Sequence, residues 1–114
     1  MLDLPALRRL CTHAPKLRRL LGLALENLRI DGWRASQALA DGDLSRFGKC
    51  MHRLEGAVCV LCAKRSPILE CFQRVQLAQA SGDLSQTRHE AQALDRQLQK
   101  LQQELQRALD DLAA

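Results

Sequence analysis

Tyrosine is absent, and two phenylalanines and one tryptophan are the only aromatics among 114 residues. So few rings leave little for base stacking, which argues against a nucleic-acid binder. They also oblige any core to be built from leucine and alanine. Proline occurs three times, and no apolar run approaches the roughly 18 residues that would span a bilayer. The opening stretch MLDLPALRRL lacks the apolar h-region of a secretory signal. No segment alternates apolar and polar residues as a strand would. Phosphate loops, Ser-His-Asp arrangements and paired carboxylates are likewise missing. The five cysteines are odd in number and sit in apolar patterns, which reads as reduced thiols in a cytoplasmic protein.

Leucine at helical spacing is abundant, and a chain of this length suits one domain, residues 1–114. A short helix is expected over Leu2–Thr12, with Pro5 tolerated in its first turn. Pro15 suits the first position of a second helix running to about Ala40. Its apolar set is Leu17, Leu20, Leu21, Ala24, Leu28, Ala35, Ala38 and Leu39, and a bend near Asp31-Gly32 is compatible with the glycine. Asp41-Gly42-Asp43 makes a tight connection, with Asp43 as N-cap of the next helix. Ser66 and Pro67 open a further helix to about Ala80, and Ser81-Gly82-Asp83 turns the chain again. From Leu84 onward nothing breaks the helix, and Ala91, Leu94, Leu98, Leu101, Leu105, Ala108 and Leu112 form a 3-4 seam. Four long helices joined by short turns imply an all-α fold, an antiparallel four-helix bundle with an additional short N-terminal helix.

Charge divides the chain. Residues 1–66 hold 12 Lys/Arg and 6 Asp/Glu, whereas residues 67–114 hold 5 and 7. A basic half of this kind can attract nucleic acid, against which the scarcity of aromatics argues, and it equally suits an acidic protein surface or a phosphoryl group.

Within it lies LSRFGKCMHRLEGAVCVLC, Leu44 to Cys62. Wound at about 100° per residue, it places Phe47, Cys50, Met51, Leu54, Ala57, Val58 and Leu61 on one stripe. His52 falls opposite, with Ser45, Gly48, Lys49, Glu55, Gly56 and Cys59 beside it. Gly48 and Gly56 stand four residues before and after the ring, where side chains would crowd it. Each glycine costs roughly 1 kcal/mol of helix stability against alanine, so their placement points to a close approach by another molecule. Cys59-x-x-Cys62 has no second pair and no organised histidine nearby, which leaves it short of a zinc site. His13 and His89 lack chemical neighbours.

The run GDLSRFGKCMHRLEGA, a proline-marked turn after it and a helix ending in AQASGD resemble the histidine-containing phosphotransfer (HPt) domains of bacterial multistep phosphorelays. The family signature corresponds here to His52, Arg53, Leu54, Glu55, Gly56 and Ala57, and the helix layout extends the resemblance over the whole chain. It implies that His52 accepts a phosphoryl group from a receiver-domain aspartate of a hybrid sensor kinase. The group then passes to the receiver of a response regulator. The chain would thus be a phosphoryl carrier with a covalent phosphohistidine, rather than a stand-alone enzyme. Lys49 would offset the phosphoryl charge, with Arg53 and Arg46 further round. No cofactor and no metal ligands are implied here, since the magnesium ion belongs to the receiver. A monomer is expected, in the cytoplasm or as a domain of a membrane-bound sensor kinase.

Two positions depart from the family pattern. Glu55 stands where a lysine is usual and is repulsive toward a phosphoryl group of about −2 charge. Cys62 replaces a glycine that lets helices approach. Gln73 and Gln76 lie in the region of a glutamine that relatives place near the ring. Two alternatives follow: a receiver-binding module that carries no phosphate, motivated by Glu55, and a structural protein dimerising through the seam of residues 91–112.

Overall fold

In the computed structural model, which describes residues 1–113, the chain is all-helical, and the described residues contain no strand. Its helices are α1 (Leu4–Leu10), α2 (Ala14–Ala40), α3 (Leu44–Leu61), α4 (Pro67–Ala80) and α5 (Leu84–Ala113). Two turns of one design set the layout. Gly42 and Gly82 adopt φ of +71° and +77°, a region that residues with a Cβ avoid. An aspartate follows each glycine and caps the next helix. Asp43 Oδ1 accepts from the Arg46 backbone N–H at 3.0 Å and Asp83 Oδ1 from that of Gln86 at 3.0 Å. The two turns are neighbours, since Arg88 reaches from α5 to the Leu39 carbonyl at 2.7 Å.

Each turn sends the chain back along the helix it has just left. As a result α2 packs on α3 and α5, and α4 packs on the same two helices. Phe47 and Phe72, the two phenylalanines, are fully buried among Leu21, Leu28, Leu54, Leu101 and Leu105. The leucine seam of α5 is thereby closed within the chain: Leu94, Leu98, Leu101, Leu105 and Ala108 are all buried.

Three local features differ from the sequence expectation. The first helix is shorter than Leu2–Thr12, because Asp3 caps it through the Ala6 N–H and Leu2 pairs with Cys62 in an isolated bridge. Leu20, placed on the apolar stripe of α2 by spacing, is 41% exposed, while Leu25 is buried. Ser66 occupies the N-cap of α4 without capping it, as its hydroxyl donates to the Ala63 carbonyl at 2.7 Å instead.

Cys62 ends α3 in an extended conformation and is buried, and that burial pushes its thiol up to about 11. A thiol freed by unfolding titrates near 9.0, so above that pH the unfolded chain loses its proton first. Stability should therefore fall between about pH 9 and about 11. Urea titrations across that window should show a steeper decline for the wild type than for Cys62→Ala. Phe47→Ala should cost ~3–5 kcal/mol and Asp43→Ala about 1 kcal/mol, both read from urea midpoints.

Candidate functional site

The apolar stripe of α3 fixes the helix's rotation, and the candidate site follows from that. Phe47, Cys50, Met51, Leu54, Val58 and Leu61 are buried and Ala57 is half-buried. His52 is left exposed on the far side, in an open hollow of about 560 Å³ lined by Ser45, Gly48, Lys49, His52, Arg53 and Gln79.

The sequence-predicted residues divide into those that join the ring and those that do not. Lys49 and Gly48 share the hollow with His52. Lys49 forms no ion pair among the described residues, so its charge is available to an incoming anion. Arg53 also borders the hollow, but its Nε lies 3.3 Å from Asp31 Oδ1 on α2. Arg46 turns away, with Nη2 at 2.6 Å from Asp41 Oδ2, and that hydrogen bond holds its guanidinium above its ordinary pKa. Gly56 and Cys59 are exposed, and Glu55 is half-buried and outside the hollow's lining. Gln73 and Gln76 line a separate hollow on α4 with Leu77.

The glutamine beside the histidine is Gln79. Its Nε2 donates to the Leu44 carbonyl at 3.4 Å, and the amide lies across Gly48. A Cβ built on Gly48 would be 2.8 Å from that Nε2 and 3.2 Å from Cδ. Gly48 therefore makes room for a side chain of its own protein. At Gly56, nothing lies within 4 Å of the position a Cβ would take. A register count could have found Gln79: the short connection after Leu61 runs α4 back along α3, bringing residue 79 level with residue 48.

The arrangement presents an imidazole with one unpaired cation and one amide at its rim, open above. A ring nitrogen so displayed can act as a nucleophile or a hydrogen-bonding partner. Comparison with protein-family models, curated proteins and solved structures returned no match for this chain. Among the described residues, no three His, Cys, Asp or Glu side chains group to hold a metal ion. No helix of the described residues is long and apolar enough to cross a membrane.

The two glycines flanking His52 should respond unequally to a methyl group. Gly56→Ala should stabilise by up to about 1 kcal/mol, the ordinary helix gain. Gly48→Ala should gain less, because Gln79 must leave the Leu44 carbonyl, and adding Gln79→Ala should recover part of the difference. Urea unfolding of the four proteins checks this; equal gains at both glycines would contradict it.

Proposed function

We propose that this chain is a phosphoryl carrier of the histidine phosphotransfer class, its α2–α5 forming an antiparallel four-helix bundle and α1 an additional short helix. The observation that carries the reading is the exposed His52 in an open hollow with the unpaired Lys49 beside it. The unoccupied space at Gly56, one turn along the same helix, supports it further.

The chemistry is a transfer between two carriers. A neutral ring nitrogen of His52 attacks the phosphorus of an aspartyl phosphate on a receiver domain. The P–N bond forms as the P–O bond to the aspartyl carboxylate breaks, and the carboxylate leaves with that electron pair. Passing the group to a second receiver reverses these bond changes. Such a transfer demands position and charge compensation more than covalent help. Lys49 supplies a positive charge at the rim, and the Gln79 amide offers a donor N–H. The magnesium ion such transfers use is assigned to the receiver, leaving this chain to present and orient the ring.

Glu55 favours a second reading, a module that binds receivers without carrying phosphate. A carboxylate three residues along the helix repels an anionic group at His52. On a wet helix surface that repulsion amounts to a few tenths of a kcal/mol, a brake rather than a barrier, so the carrier reading ranks first.

Incubation with a panel of phosphorylated receiver domains tests the proposal. Label should appear on His52, stable to base and labile to acid, and His52→Gln should retain its helical content and accept none. Persistent labelling of that variant, or no labelling by any receiver, would overturn the assignment. Glu55→Lys should raise the transfer rate roughly two- to fivefold; an unchanged or lower rate would refute the electrostatic argument.

A further inference from the structure

The exposed side of α2 is mostly charged and polar, but four large apolar side chains stand among those residues. Leu20, Leu23, Ile30 and Trp33 are exposed along it, Trp33 by 65%. Trp33 is the chain's single tryptophan, and an indole left in water is unusual because it forgoes a large burial. Trp33, Arg34, Gln37, Arg46, Cys50 and Arg53 line a shallow hollow of about 410 Å³. Arg53 borders this hollow and also the one that holds His52. The two surfaces are therefore continuous.

Charge narrows the choice of occupant. Three guanidiniums line the hollow and two carboxylates answer them: Asp31, 3.3 Å from Arg53 and 3.9 Å from Arg34, and Asp41, 2.6 Å from Arg46. Over their full lengths α2 and α3 carry eight Lys/Arg and three Asp/Glu, whereas α4 and α5 carry five and six. A second copy seated face to face would bring arginine against arginine. An acidic protein face with a projecting apolar side chain complements both the indole and its cationic rim. Continuity with the His52 hollow favours such a face over a lipid surface, because chemistry at that ring calls for a protein partner.

We infer that the acidic partner that meets His52 also covers the Trp33 hollow, with an apolar side chain against the indole and carboxylates toward Arg34, Arg46 and Arg53. The inference rests on the phosphotransfer reading and names the footprint of its partner.

Trp33 is its own reporter. Receiver domains that lack tryptophan are titrated into the full chain while its emission and acrylamide quenching are followed. A blue shift with reduced quenching is expected, and Trp33→Ala, checked for retained helicity by circular dichroism, should weaken binding at least tenfold by calorimetry. Label on His52 with unmoved emission and undiminished affinity of Trp33→Ala would overturn the inference and leave the carrier reading intact. An emission shift without label on His52 would uphold the footprint and remove the phosphoryl chemistry. If no receiver shifts the emission, the inference fails. A shift of the chain alone that grows with concentration and doubles the sedimenting mass would replace it by self-association. A shift only on vesicles of phosphatidylglycerol and phosphatidylcholine would replace it by a lipid surface.

Discussion

α3 is gripped from one side only, and the candidate site depends on that constraint. Its six buried side chains recur at intervals of three and four or sit adjacent as Cys50 and Met51, so only one rotation of the helix buries them together. Turning it by a single residue, about 100°, would draw His52 inward and expel Phe47. The imidazole would then need a buried hydrogen-bond partner to offset its desolvation, and the core would lose one of its two phenylalanines. The exposure of Lys49, Gly56 and Cys59 follows from the same rotation. Asp43 anchors the start of this helix, and the extended backbone at Cys62 ends it.

Electrostatics refines what the rotation provides. Arg46 and Arg53 both project from α3, yet each rests on a carboxylate, Asp41 in the turn and Asp31 on α2. Exposed pairs of this kind contribute little to stability, enough to set a resting position for a guanidinium but not to lock it. Asp31 is shared between Arg53 and Arg34, so departure of one arginine does not leave the carboxylate without a partner. Near His52, Lys49 differs from these arginines in lacking a tether, and it can meet an anion without first giving up a pair.

Features that depend on one helix at a time were legible in the sequence. The stripe of α3, the cap at Asp43, the outward His52 and the Gly-Asp turns all follow from spacing and local chemistry. Features that need two helices were not. Gln79 joins the ring because α4 returns at a register that spacing within α4 does not state; only a count across the connection from α3 separates it from Gln73 and Gln76. The pairing of Arg53 with Asp31 spans 22 residues and depends on how α2 lies against α3. Leu20 and Trp33 illustrate the same limit. A helix of 27 residues covered by neighbours on part of its circumference can leave apolar side chains in water, whereas periodicity alone counts Leu20 as core.

The glycines show how such contacts change an interpretation. By sequence, Gly48 and Gly56 look equivalent, placed symmetrically about His52 and each costing roughly 1 kcal/mol of helix stability. In the fold they are not, for Gly48 is matched by an internal contact, the Gln79 amide that a Cβ would displace. Its presence therefore says nothing about a visitor. Gly56 has no such match, although open space alone is weak grounds, since Gly22 and Gly32 on α2 also face nothing within 4 Å. What distinguishes Gly56 is its place one turn beyond an exposed imidazole, on the face that also carries an unpaired lysine. One glycine rather than two thus leaves room for close approach from outside, and its neighbours mark the place more than the glycine itself does.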